Sequence, residues 1–182
     1  APPPPIEGHA CISLPGAGNV SHTFVVGGNF ATGPGTGPTN KTWVLTKSAE
    51  NLTWIQGPEL PEPVRRHTMV HVPSSSCLVI FGGSKGPSCQ ENLTAEVASI
   101  RIAAGKYVGS WGAKATTGTP PAARMGHTAT MAGGESSLMY VLAGQTDNYC
   151  KASGFQNDAH TLDVRTWVWS KLAPGGSPPV PR

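Results

Sequence analysis

The chain has 182 residues, 38% hydrophobic and only 13% charged, with a formal net charge of +3. That length suits one ordinary domain with a core of its own. The charge is too small and too scattered for a nucleic-acid-binding stripe, and no apolar run approaches the ~20 residues of a membrane-spanning helix. Glycine (23) and proline (18) make up near a quarter of the chain, which predicts many turns and little helix. Val, Ile, Leu and Trp nevertheless recur in short runs, so a packed fold is expected rather than disorder. No charged segment followed by an apolar segment opens the sequence, so any signal peptide is expected to have been removed or to lie outside this chain.

In chain order, residues 1–5 form a proline-rich link, and three similar units follow at 6–62, 63–120 and 121–182. Each unit opens at a histidine: "EGHA" with His9, "RRHT" with His67 and "MGHT" with His127. The separations are 58 and 60 residues. A short first strand is expected there, as in "HTMVHV" (67–72) and "HTATMA" (127–132), and a Gly/Ser turn follows. The second strand is an apolar run ending in small residues: "FVVGG" (24–28), "VIFGG" (79–83) and "YVLAG" (140–144). After a longer loop, the third strand is "TWVLT" (42–46), "EVASIRI" (96–102) or "AHTLDV" (159–164). The fourth surrounds Trp54, Trp111 or Trp169 and leads into a proline-rich link. These runs are rich in β-branched and aromatic residues and bounded by Gly, Pro, Asn and Ser. Residues 48–53 and 103–110 contain helix formers but are too short for a stable helix.

The second strands are apolar at consecutive positions, so both of their faces must be buried. A four-stranded sheet achieves this when it stacks between two like sheets, as a propeller blade does. Tryptophan on an outer strand can fill the wedge between diverging blades, and paired glycines let backbones approach where blades crowd.

The third unit, "PPAARMGHTATM…SLMYVLAGQTDN…DAHTLDVRTWVWSKLAPGGSPPVPR", resembles a Kelch repeat. It has an Arg-x-Gly-His opening, an apolar strand into a small pair, an "LDV" strand and then tryptophan. The second unit keeps Arg-His and Gly-Gly but has Ala98 and Ser99 where the third has Leu162 and Asp163. The first has Ile6 where Arg124 stands, and Arg182 in "PPVPR" matches Arg124. The resemblance spans nearly all 182 residues. It implies an all-β fold of about three four-stranded Kelch-like blades, an incomplete β-propeller on its own. Propellers close with four to eight blades, so further blades, from the same polypeptide or a second chain, are expected to complete it. Left alone, its open strand edges are expected to drive association.

Kelch propellers serve mainly as binding scaffolds, so the resemblance implies an interaction or structural module whose ligand is a protein or a glycan. No catalytic residue, cofactor or metal is expected. His9, His67 and His127 recur at repeat spacing, which suits a hydrogen-bonding job repeated in every blade better than metal ligation. His22, His71 and His160 share no spacing. Copper-radical oxidases of the galactose oxidase type also carry Kelch-like blades, so a fragment of a secreted carbohydrate oxidase is an alternative. The tyrosines here are Tyr107, Tyr140 and Tyr149, and Tyr149 adjoins Cys150 directly, which does not suit a cross-link between separate strands. A unit of an extracellular fibre is a further alternative. "GESS" (134–137) is not a nucleophile elbow, and "GGNFATGPGTG" (27–37) lacks the Gly-Lys-Ser/Thr of a phosphate loop. The loops after the glycine pair, 29–41, 84–95 and 145–158, are the longest, and loops on a rigid scaffold carry specificity. Candidate contact residues there are Asn29, Phe30, Lys85, Asp147, Asn148, Tyr149 and Lys151. Arg65, Arg66 and Arg124 are candidates too, with bonding to carbonyls of a neighbouring blade as the competing role.

Asn-x-Ser/Thr occurs at Asn19, Asn40, Asn51 and Asn92, where about one would be expected by chance from seven asparagines. With an even cysteine count of four, this predicts a glycosylated, disulfide-bonded protein of the extracellular space or cell surface. Asn40, Asn92 and Asn157 all end the long loop before the third strand, and the last is not a sequon. Cys89 lies six residues past Gly83 and Cys150 six past Gly144, so they are equivalent positions in adjacent units. Of the three possible pairings this favours Cys89–Cys150, leaving Cys11 and Cys77 as a pair or as buried thiols.

Overall fold

A computed structural model describes residues 2–30, 36–49, 51–134, 136–148, 150–151 and 153–176. Three antiparallel meanders account for most of them. Blade 1 pairs Ala10–Pro15, Val20–Val26, Thr42–Ser48 and Asn51–Gln56 in sequence order. Blade 2 does the same with Thr68–Val72, Cys77–Phe81, Val97–Ala103 and Lys106–Lys114. Blade 3 is built from Thr128–Met131, Leu138–Leu142, Ala159–Asp163 and Val168–Lys171. Among the described residues there is no α-helix, only a short 3-10 turn at Pro73–Ser75. In blades 2 and 3 the repeat histidines, His67 and His127, stand just before the first strand rather than in it.

Register makes the repeat physical. Phe24 faces Val44, Val79 faces Ser99 and Tyr140 faces Thr161. One face of each blade points to the blade before and the other to the blade after. Phe24, Val26 and Val44 of blade 1 pack with Leu78, Ile80 and Trp111 of blade 2. Val79, Phe81 and Val97 on the other face of blade 2 pack with Met139, Leu162 and Trp169 of blade 3. The consecutive apolar residues of the second strand thus feed two separate cores. Each fully buried side chain of this size contributes roughly 1.5–3 kcal/mol.

Two additions go beyond four strands per blade. The link after blade 2 lays Thr117–Gly118 parallel to the fourth strand of blade 3, giving a fifth strand. Thr117 and Thr119 donate their amides to the carbonyls of Trp167 and Trp169 at 3.1 and 3.0 Å. A second ribbon crosses the rim of each blade, running Glu7–Asn29–Pro38, Arg65–Ser84–Leu93 and Met125–Gln145–Phe155. This ribbon corrects the alignment of the arginines. Arg65 occupies the place of Met125, and Val64 that of Arg124.

Blades are joined at the glycine pair. Gly28 donates to the carbonyl of Val64 and Gly83 to that of Arg124, both at 2.8 Å. A Cβ on Gly27 or Gly82 would stand 2.9 or 2.8 Å from Cε1 of His67 or His127, and both glycines hold a left-handed backbone. A histidine ring from the following blade lies over each, so side chain and conformation both demand glycine there. His67 and His127 are therefore buried packing groups. Burial lowers the pKa of His67 to about 3, with His127 and His9 adding repulsion, and that of His127 to about 4, with Arg124 adding repulsion.

Candidate interaction surface

The strand order puts the long loops after the glycine pairs, and the links between blades, at one end of the molecule. The Gly/Ser turns lie at the other end. On the loop end, Cys89 of blade 2 and Cys150 of blade 3 form a disulfide with Cα atoms 5.2 Å apart. Asn148 donates its side-chain amide to the Cys89 carbonyl across the same boundary. Two loops from adjacent blades are thereby held as one rim.

Each loop carries its own frame. In blade 3, Gln145 is buried beneath the loop and donates Nε2 to the carbonyls of Asn148, Lys151 and Ser153 at 3.2, 2.9 and 3.0 Å. Asp147 accepts from Ser153 Oγ at 2.6 Å, from the Asn148 amide at 2.7 Å and from Lys151 Nζ at 3.3 Å. Those bonds, that of Ser153 foremost, hold its carboxyl below the usual range. In blade 2, Arg65 donates Nε to the Gly86 carbonyl at 3.1 Å and lies 3.1 Å from the buried Glu91 carboxylate. Glu91 also accepts from the Cys89 amide at 3.2 Å. Lys85 pairs with Glu96 at 2.9 Å.

Arg65 and Arg124 are not surface contacts. Their side chains are about 1% exposed, and each bonds within its own blade rather than to carbonyls of a neighbour. Arg124 grips Asp158 with two bonds of 2.6 and 2.9 Å and donates to the Ala122 and Ala143 carbonyls. The Arg124 bonds hold the Asp158 carboxyl below its usual range. His160 completes this network, donating Nδ1 to the Thr119 carbonyl at 3.2 Å with Nε2 3.1 Å from Asp158. Removing the charged ends of Arg65 or Arg124 would leave carboxylates without their partner, so these arginines hold loops in place. Arg66 is half-buried with a left-handed backbone. Its amide donates to Gly8 of blade 1 at 2.6 Å and its carbonyl accepts from Gly126 of blade 3 at 3.1 Å, so it ties three blades together.

The remaining candidates divide by position. Asn29 and Phe30 lie in the rim ribbon of blade 1, half-buried, with the Phe30 ring edge-on to Trp43. Lys85, Asp147, Asn148 and Lys151 are on the stapled rim. Tyr149 lies outside the described residues, as does Arg182. Asn19, Asn51 and Asn92 are exposed, whereas Asn40 is half-buried and its amide donates to Glu59 at 2.9 Å. Cys11 and Cys77 carry free thiols, the first exposed and the second partly so; they are neither a pair nor buried. Cys11 falls on the outward face of blade 1, beside Val25 in register, and is exposed there. The residues sequence reasoning does not single out as functional are Gln145, Glu91, Asp158 and His160, the last because it shares no spacing with the other histidines. Each is a lone polar residue inside a loop or strand, and only the fold reveals its partners.

Among the described residues no group of three His, Cys, Asp or Glu is placed to hold a metal. Cys150 Sγ is committed to the disulfide, and Tyr107 is packed between Phe24 and Trp111. What the rim does present is a fixed set of polar groups on stapled loops at the end of stacked blades, the arrangement of a binding scaffold.

Comparison with known proteins gives that class a family. A profile described as the KLHDC2/KLHL20/DRC7 Kelch-repeats domain matches residues 2–182. The chain belongs to the Kelch-repeat family. It is 29% identical to the leucine-zipper-like transcriptional regulator 1 homolog of Drosophila melanogaster over 96% of its own length and 18% of that protein's. It is 26% identical to human Kelch domain-containing protein 3, covering 75% of this chain and 32% of the relative. Similarity to acyl-CoA-binding domain-containing protein 5 of Arabidopsis thaliana is 32% over 79% and 20%. The chain therefore spans a third or less of the length of these relatives. No helix among the described residues is long and apolar enough to cross a membrane.

Proposed function

We propose that this chain is the binding segment of an extracellular, glycosylated Kelch propeller, completed by further blades from the same polypeptide or from a partner chain. It uses the stapled rim of blades 2 and 3 to engage a protein or glycan ligand. The observation that carries this is the Cys89–Cys150 bond joining loops of adjacent blades. Such bonds form and persist in oxidising compartments, and this one prearranges two loops, which lowers the ordering cost of binding. Exposed sequons at Asn19, Asn51 and Asn92 support the same compartment. The partly buried Trp54 and the 40% exposed Leu142 lie on outward blade faces, where further blades would cover them.

Intact-glycopeptide mass spectrometry of the chain from a secreting host tests the compartment. Glycans at Asn19, Asn51 and Asn92 are expected, and unmodified asparagine at all three would refute glycosylation. Analytical ultracentrifugation tests completion: the isolated chain is expected to associate, and a monodisperse monomer would count against further blades.

A further inference from the structure

We propose that the cleft between blades 1 and 2, at the end opposite the stapled rim, binds a small uncharged apolar molecule bearing one hydrogen-bond acceptor. A cavity of about 670 Å³ lies there, and a second of about 540 Å³ meets it at His22 and Gly105 and runs along the fourth strand of blade 1 to Pro58. Cavities of this size, lined mainly by apolar groups with a few polar ones, are the usual form of a small-molecule site. Leu14, Val20, Phe24, Ile102 and Ala103 line the first. Val44, Ile55 and Tyr107 continue the apolar wall into the second. Both walls belong to this chain, so the cleft is not an open outer face awaiting another blade.

The opening has a local cause. Blade 2 turns from its third to its fourth strand through two small residues, Ala104 and Gly105, with Ala103 facing Lys106. Blade 3 makes the same turn through four residues, 164–167, between Asp163 and Val168. Val164 and Trp167 of that longer turn pack against the core between blades 2 and 3. The shorter turn of blade 2 has no such side chains to lay against blade 1.

The polar groups set the ligand class. Among the described residues lining the first cavity none is Lys, Arg, Asp or Glu; its titratable groups are His22 and His71. Burial lowers the pKa of His71. His22 Nδ1 lies 3.0 Å from Thr46 Oγ1. Where the Thr46 hydroxyl donates to Nδ1, the ring proton sits on Nε2. Gly16 and Gly105 flank this ring, where a Cβ would stand 2.8 and 2.2 Å from that nitrogen, and His22 lines both cavities. Within the first cavity a charged head would lose its hydration without finding an opposite charge. The cation of the cleft, Lys106, lines the second cavity. An alcohol, ketone or ester on an alkyl or aryl body fits.

Saturation-transfer NMR on the whole chain with 1-octanol and, separately, sodium octanoate tests this, since it reads binding to associated protein as well as to monomer. Saturable octanol binding, roughly tenfold tighter than octanoate, is expected. Ala103→Leu, which fills the cleft, should abolish it. His22→Phe, which keeps the ring but removes the donor, should weaken it about fivefold. Leu142→Asp, on the open face of blade 3, should leave it unchanged. Non-saturable binding, octanoate binding as tight as octanol, full affinity in both cleft variants, or loss in Leu142→Asp would each overturn the proposal.

Discussion

The two blade boundaries are built from equivalent positions and differ in how well they are closed. Between blades 2 and 3, Trp169 is 2% exposed, Trp167 and Val164 fill the turn, a disulfide joins the loops, and Thr117–Gly118 adds a strand. Between blades 1 and 2, Trp111 is similarly buried, but the opposite end opens into the cleft at His22. The histidines show the contrast at atomic scale. His127 Nε2 lies 2.8 Å from the Thr68 hydroxyl of blade 2. Ala10 stands at the matching place in blade 1, and both ring nitrogens of His67 are buried without a partner. The lesson is that a repeated backbone does not impose repeated energetics; a two-residue difference in turn length, a disulfide, an added strand and one hydroxyl separate the two boundaries.

Four measurements would break or sharpen this contrast. Trp169→Ala should cost about 3–5 kcal/mol of stability, read by urea denaturation. Trp54→Ala should cost roughly 1 kcal/mol or less, because Trp54 is only partly buried in this chain. Equal losses would mean that Trp54 is buried in solution. Reducing the Cys89–Cys150 bond, which closes a loop of 61-residue separation, should cost about 2–4 kcal/mol. Limited proteolysis should then open the loops of blades 2 and 3 before those of blade 1; the reverse order would refute the staple.

The third measurement is stability against pH. Both histidines have depressed pKa values, so the unfolded chain binds more protons below about pH 6.5 and stability falls as pH falls. Each contributes a slope of up to about 1.4 kcal/mol per pH unit. The His127 share ends near pH 4 and the His67 share near pH 3. Asp158, held low by Arg124, acts in the same direction below about pH 4. His127→Gln should remove one share of the slope, and an unaltered slope would mean His127 is not buried. Smallest of all, Ala10→Thr should give His67 its missing partner and stabilise the fold by about 0.5–1.5 kcal/mol. No gain in the urea midpoint would show that the two histidines are not equivalent.

Much of the fold was legible because it is encoded by period. Consecutive apolar residues at 24–26 and 79–81, each flanked by paired glycines, require a strand buried on both faces, and only stacked sheets provide that. The tryptophans repeat because each falls on the face toward the preceding blade; Trp54 and Trp169 stand opposite Leu45 and Leu162, and Trp111 lies in the core shared with blade 1. The arginines were misjudged for an equally physical reason. Arg65 and Arg124 sit near the same histidine landmark, yet they stand one residue apart in register and ion-pair with different acids, Glu91 and Asp158. Charge in a sequence suggests exposure, and a buried ion pair is visible only once both partners are placed.

Local chemistry alone was enough to specify the strands, the unit length of about 60 residues, the glycine pairs and the all-β stacked-sheet class, because each depends on near neighbours and on which strand faces are apolar; the Kelch family came from resemblance. Tertiary structure decided which polar residues are buried together and which boundary is sealed. It also decided that Cys11 and Cys77 stay apart and that a cleft opens beside His22. Those outcomes depend on distances between residues some 20 to 80 positions apart in sequence, and no periodicity in the chain records them.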